Sequence, residues 1–236
     1  MALYSIADII VDMDCTGNLL LKRATPYKAS QDATSDIVIK RNSKWISDSF
    51  EKNNNLNEEE WEYMFFGSEF YRELLKYDGM LLHASAVVVD GKAYLFSAKS
   101  KTGKSTHTSL WLDMFGDKAY IINDDKPAIR FVDGKFYVYG TPFSGKHDIS
   151  RNTRCELGGI CFLSQSPENK ISKMDINDVI FNMLSQTIRH ISKNEMDMLL
   201  LLMDKLLRSV GVYKLECNMD ISAAKLSYET MSGEKL

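Results

Sequence analysis

The chain has 236 residues, 44% of them apolar and 26% charged, enough apolar content to bury a real core and to exclude wholesale disorder. It carries only 13 glycines and 4 prolines, a share of about 7% against roughly 12% in average usage, which excludes collagen-like, proline-rich and glycine/serine-linker architectures. With 29 basic and 32 acidic side chains the net charge is −3; a dedicated nucleic-acid binder is usually strongly basic, whereas a small anion needs only a local positive site.

Residues 3–13 alternate around Ile6, Ile9, Ile10 and Val11 and predict a strand; 19–22 and 37–40 predict further short strands. No basic leader precedes them, and Asp8, Asp12 and Asp14 interrupt the apolar stretch, so no signal peptide is expected. Residues 51–58 are polar and read as a surface loop, with Asn55 or Asn57 capping the helix that follows. That helix carries Trp61, Met64, Phe65, Phe70, Leu74 and Leu75 near a 3.6-residue period and stops near Gly79. Trp45 and Trp61 read as structural.

In the middle third, the β-rich runs 82–89 and 92–96 flank Asp90 and Gly91, and 128–132 and 135–139 flank Asp133 and Gly134. Asp-Gly between two such runs predicts a hairpin, because both residues tolerate positive φ. Between the hairpins lie a loop, a helix over 104–115 and a strand over 119–122; 157–163 predicts a buried strand. The last third reads as helices over 176–191 and 193–210, a strand over 212–216 and a helix over 221–231. Its methionines Met196, Met198 and Met203 are most simply core. The longest apolar run, 198–203, is too short to span a bilayer. Cys15, Cys155, Cys161 and Cys217 form no CxxC pair; no zinc site is expected, and reduced thiols in a cytoplasmic protein are.

The chemistry concentrates after residue 96. The phosphate-loop pattern G-x-x-x-x-G-K-[ST] requires a strand before it and a helix after it. Gly103, Lys104 and Ser105 match it in that setting, and Ala98 stands at the first glycine. Backbone N–H groups at a helix N-terminus cradle phosphates, a lysine supplies a point charge, and a serine hydroxyl ligates Mg²⁺. Ala98 suits the loop if its backbone angles are ordinary. Asp124 and Asp125 follow Ser105 by 19 and 20 residues, room for one crossover helix and a neighbouring parallel strand ending in acids. One carboxylate can manage the metal and the other accept a proton from an attacking hydroxyl or water. Lys146, beside His147 in a glycine-containing loop, suits a substrate or phosphate clamp; Arg154 is a candidate for stabilising charge on a transferring phosphoryl. His107, one turn into the helix, reads as packing.

Residues 80–160 resemble the HPr kinase/phosphorylase group within the phosphoenolpyruvate-carboxykinase-like ATPases. The likeness rests on His83, on the run Thr102, Gly103, Lys104, Ser105, Thr106, on Asn123, Asp124 and Asp125, and on a phosphate-loop strand that grows out of an antiparallel hairpin. The stretches 105–111 and 139–146 are similar to small HPr-kinase-related proteins of bacteria. The resemblance implies an α/β fold: a carboxykinase-like P-loop core with a mixed sheet and antiparallel hairpins, and a helical C-terminal part. It divides the chain into an α+β region over 1–78, a candidate for acceptor recognition, and an ATP-binding catalytic domain over 79–236. It implies ATP and Mg²⁺ as cofactors, with the loop Ser100, Lys101, Thr102, Gly103, Lys104, Ser105 and Thr106 holding phosphates. Ser105 and Asp125 would hold Mg²⁺, Asp124 would be the base, and His83 and Lys104 would stand beside the transferred group; the order within the acidic pair stays open. Lys101 stands where relatives often carry a second glycine, and the stretch from Arg154 to Ile160 matches the family's arginine-glycine signature only loosely, which sets HPr and reverse phosphorolysis apart from the expectation.

Three functions are expected in turn. The first is an ATP-dependent kinase acting on a hydroxyl, most simply serine, of a protein, peptide or small molecule. The second is a nucleotide-binding regulator without phosphotransfer, and the third a phosphorylase or pyrophosphate-linked enzyme. No nucleic-acid or membrane partner is expected; homo-oligomerisation is left open.

Overall fold

The computed structural model describes residues 2–99, 102–188 and 191–236. The alternation of residues 3–13 resolves into two strands rather than one. β1 (Ala2–Ile6) and β2 (Ile9–Met13) pair antiparallel around Ala7 and Asp8, whose φ angles are 54° and 58°. No glycine advertises this turn. β3 (Ile37–Ile39) joins β2 in parallel and completes a three-stranded sheet.

Residues 19–22 are not a strand. They lie in α1 (Asn18–Ala24). The reason is tertiary: the N–H groups of Thr16 and Gly17 donate to the buried Glu62 carboxylate at 2.8 and 2.7 Å, and that of Asn18 donates to Glu59 at 3.1 Å. Donors that a helix start leaves unpaired are thus satisfied by carboxylates more than 40 residues away. α2 (Ser43–Lys52) begins at an Asn42 cap and takes residues 51 and 52 out of the expected loop. α3 (Glu58–Leu74) starts at Asn57 with a full capping box: Asn57 accepts from the Glu60 N–H at 2.9 Å, and Glu60 accepts from the Asn57 N–H at 2.8 Å. Trp45 and Trp61 form an edge-to-face pair across α2 and α3.

The remaining strands form one nine-stranded mixed sheet, the α/β architecture expected. β4 (Gly79–Leu81), β8 (Ala128–Val132), β9 (Lys135–Tyr139), β10 (Arg154–Gln165), β6 (Lys92–Ser97), β5 (Ala84–Val89) and β7 (Ala119–Asn123) lie side by side in that order. The long β10 forks the sheet. Its first residues pair with β9, and its last six, Ile160 to Gln165, pair in parallel with β12 (Val212–Cys217), which also carries β11 (Lys170–Lys173). Both Asp-Gly turns form, with φ of 50° and 77° at Asp90 and Gly91 and of 49° and 82° at Asp133 and Gly134, the signature of type I′ hairpins.

Helices cover both faces, as a sheet with a parallel centre requires. On one face α5 (Ile176–Ser185) and α6 (Lys193–Ser209) bury Val179, Met183, Leu199, Leu202 and Met203 against β5, β6 and β10; Met196 and Met198 pack at the edge of that core. On the other, α4 (Lys104–Phe115) and α7 (Ile221–Ser232) enclose Trp111, Tyr228 and Met231. A third apolar cluster joins the first 78 residues to Ala128, Tyr139, Phe143 and Ile188. α5 ends at Ser185, short of the expected 191, because the chain turns off to bond elsewhere. The Gln186 carbonyl accepts from the His83 N–H at 2.7 Å, and the Thr187 hydroxyl donates to the Leu81 carbonyl at 2.6 Å. Among the described residues no helix is long and apolar enough to cross a membrane.

His107 packs, as its position suggested. It stacks on Phe96 with ring centroids 4.5 Å apart and is 3% exposed. The Ser227 hydroxyl spends its hydrogen on the Ala224 carbonyl, so His107 Nε2 and Trp111 Nε1 both donate to its oxygen, each at 3.0 Å. Nδ1 has no partner. Burial pushes the imidazole down to about 4, whereas an unfolded histidine titrates near 6.5. The contribution to stability is therefore complete above about pH 6.5 and is lost as pH falls towards 4, by at most about 1.4 kcal/mol per pH unit. Thermal melts between pH 7 and 4 should show this loss in the parent chain and a flatter profile in His107→Gln.

Candidate active site

β6 delivers the chain to the N-terminus of α4 through the loop that the motif predicts. Gly103, just before the helix, has φ 117° and ψ 19°, a conformation that glycine adopts without strain. Among the described residues no side chain caps α4, which leaves its first N–H groups to meet an anion. Ala98 is not among the described residues with positive φ, so a glycine is not needed there. The Lys104 ammonium folds back on the loop and donates to the Ala98 carbonyl at 3.1 Å. Burial pushes its pKa down, against the attraction of Asp125.

The acids arrive on β7, and here the expected topology needs correcting. β7 is not the neighbour of β6. β5 lies between them, antiparallel to both, so β6 and β7 run parallel one strand apart. At the end of β7, Asn123 turns the chain. Its Oδ1 accepts from the N–H groups of Asp125 and Lys126 at 3.0 and 2.8 Å, while its Nδ2 donates to the Thr141 carbonyl at 3.1 Å.

The two carboxylates then meet different surroundings. Asp124 is 8% exposed and accepts from the Gly145 N–H at 2.7 Å. Burial, with repulsion from Asp125, raises its pKa above the ordinary carboxylate value in spite of that bond. Burial alone would raise Asp125 as well. His83 Nε2 at 2.9 Å and Lys126 Nζ at 2.6 Å outweigh it and hold Asp125 well below the usual carboxylate range. His83 is fixed in turn: Nδ1 lies 3.1 Å from Gln186 Oε1, and its carbonyl accepts from the Ser97 hydroxyl at 2.8 Å.

These groups open into one cleft of 340 Å³ that brings together His83, Gly103, Lys104, Ser105, Thr106, Asp124, Asp125, Gly145, Lys146 and His147. Thr102 lines an adjoining cleft of 620 Å³, which shares Gly103 and Thr106 and has Leu110, Leu163 and Met219 in its apolar wall. A third, of 450 Å³, shares His83 and adds Lys99 and Lys126. Ser100 and Lys101 lie outside the described residues. Arg154 does not join the cleft. At the start of β10 it pairs with Asp8 at 2.7 Å, lies 3.3 Å from the Tyr139 hydroxyl and stacks over Tyr137. The strand pairing of β10 with β9 turns its side chain to that side, away from the residues that line the cleft. Asn123, named in the resemblance, and Gly145, in the glycine-containing loop of Lys146, belong to the site; so do Lys126 and Gln186, which sequence does not single out: Lys126 adjoins the acid pair, and nothing local marks Gln186.

One solved structure to which the chain is similar is the HPr(Ser) kinase/phosphatase from Coxiella burnetii. Identity is 15%, the match covers 64% of this chain and 92% of that one, and the TM-score is 0.35. No family model and no curated protein matches the chain. A likeness of that size carries no argument about chemistry, and what the cleft can do follows from its own atoms.

Those atoms suit an anion held beside a hard cation. The donors on offer are hydroxyl and carboxylate oxygens, from Ser105 and Asp125 with Asp124 next to them. Among the described residues no group of three or more His, Cys, Asp or Glu forms a metal cage. Mg²⁺ fits such a set, since it keeps most of its waters and binds through one or two carboxylates together with phosphate oxygens. The depressed pKa of Asp125 depends on its two donors. In His83→Phe it should rise towards the ordinary carboxylate value, followed as the pH midpoint of the Asp125 carboxyl carbon shift in NMR.

Proposed function

We propose that the protein is a phosphotransferase, a cytoplasmic kinase that moves the γ-phosphoryl of ATP to a hydroxyl, most simply a serine of a protein, peptide or small molecule. The observation that carries this reading is a single cleft holding a helix N-terminus with free N–H groups, the Lys104 ammonium, the Ser105 hydroxyl and two adjacent carboxylates with opposite pKa shifts. The division of labour follows from those shifts. Asp125, kept ionised, is the metal ligand with Ser105. Asp124, whose proton affinity is raised, accepts the hydroxyl proton. Lys104 and the α4 N–H groups hold the phosphates, and Mg²⁺, when bound, neutralises phosphate charge. Lys146 at the rim adds a cation. The 620 Å³ cleft across Thr102 and Gly103 is wide enough for the nucleoside, and the 450 Å³ cleft on the His83 side leaves room for the acceptor.

A second reading, a nucleotide-binding regulator without transfer, is favoured by one contact: Lys126 already occupies an oxygen of Asp125 that a metal would take. Labelled ATP, Mg²⁺ and serine-bearing peptides separate the two. The kinase reading expects transfer, a loss of roughly 10²-fold or more in Asp124→Asn, and weakened ATP binding by calorimetry in Lys104→Ala. ATP binding without turnover in either the parent or Asp124→Asn would establish the regulator instead.

A further inference from the structure

The loop that carries Gly145 is built from outside. Arg23, on α1, donates from Nη1 to the Ser144 carbonyl at 2.9 Å and from Nη2 to the Gly145 carbonyl at 3.0 Å, and its Nε lies 3.3 Å from Asp148 Oδ1. Its guanidinium stacks on Tyr63, 4.9 Å from the ring centre, and the Tyr63 hydroxyl donates to the same Ser144 carbonyl at 2.7 Å. Ser144 closes the loop on itself with a 2.9 Å bond to Asp148. The Arg23 side chain is only 12% exposed, unusual for an arginine with no catalytic contact of its own.

Neighbouring ties point the same way. The Tyr27 hydroxyl lies 2.5 Å from that of Ser150, and Asn152 donates to the Pro26 carbonyl at 3.1 Å. The loop's inner side is committed to Asp124 through the Gly145 N–H, and a Cβ added at Gly145 would lie 3.0 Å from Asp124 Oδ2. There is little slack between the loop and the carboxylate.

We infer that Arg23 is a positioning residue for Asp124, acting through the backbone of residues 144–148, so that the N-terminal segment is part of the machinery of transfer rather than an appendage to it. The inference rests on the kinase reading. A guanidinium is required because two carbonyls and a carboxylate are engaged at once by a planar fork, which an ammonium cannot do. A carboxylate displaced by about 1 Å costs on the order of 10²-fold in rate, although Lys104 and the helix N-terminus go on holding ATP.

The test is steady-state ATP turnover in Arg23→Ala, Arg23→Lys and Gly145→Ala, with a thermal melt for each. The expected result is a kcat lowered roughly 10- to 100-fold in Arg23→Ala with the KM for MgATP within about twofold of the parent, no full rescue by Arg23→Lys, and the same split in Gly145→Ala. If Arg23→Ala does not fold, Gly145→Ala and Tyr63→Phe decide by the same split. A parent that turns over ATP while the variants keep its kcat overturns the inference and leaves the kinase reading standing, as does full rescue by Arg23→Lys or a rise in KM that accounts for the loss. A parent with no turnover at all overturns both.

Discussion

The site depends on one strand. β5 is buried along its whole length and hydrogen-bonds on both sides, to β6, which leads into the loop of Gly103 and Lys104, and to β7, which carries the acids. Strands in a sheet stand about 4.8 Å apart, so the loop and the carboxylates are held roughly 10 Å from each other. That gap is wide enough to seat a phosphate chain between them and narrow enough for the Lys104 side chain to feel Asp125. His83, immediately before β5, occupies the mouth of the gap and fixes one of the two acids. The buried Ala and Val side chains of β5, with Ser85 satisfied by the Thr108 hydroxyl at 3.0 Å, make it a rigid spacer.

The asymmetry of the two acids has the same origin. Neighbouring carboxylates in similar surroundings would repel each other and share a proton. Here the turn made by Asn123 sends one towards two cationic or N–H donors on side chains and the other towards a single backbone N–H in a buried corner. Burial acts on both; the difference lies in how many donors answer it.

Much of this was legible in the sequence. Period and punctuation were enough for α3, α4 and both Asp-Gly hairpins, since each depends on nearby residues: a cap, an apolar stripe, a pair that accepts positive φ. The loop of Gly103 to Ser105 and the acid pair stand out because particular residue types recur at a particular spacing, and the structure brings them to one cleft. What was misread depends on distant partners. α1 looks like a strand until Glu62 and Glu59 are seen to take the N–H groups of Gly17 and Asn18 at its start. Residues 3–13 look like one strand because an Ala-Asp turn lacks the usual glycine. α5 ends early because Gln186 bonds to the chain next to β5, and Arg154 turns away because β10 pairs with β9 at that point. The placement of β5 between β6 and β7 has no local signal at all, because strand order is a property of the whole sheet.

The apolar cluster around α3 carries one more consequence, for the order in which the chain can assemble. Tyr63, Phe66, Phe70 and Tyr71 are completed by Phe143 and Ile188, more than 70 residues further along. During synthesis, which proceeds from the N-terminus, the first 78 residues emerge with the part of that aromatic face that Phe143 and Ile188 complete still open. They must wait for the second hairpin and the loop after it before that face is closed. Contacts of such long sequence separation slow folding and leave intermediates prone to stick to one another. A fragment cut at residue 78 would carry that exposed face permanently, so the length of chain required for a soluble product is set by Phe143 and Ile188 rather than by the boundary that the motifs suggest.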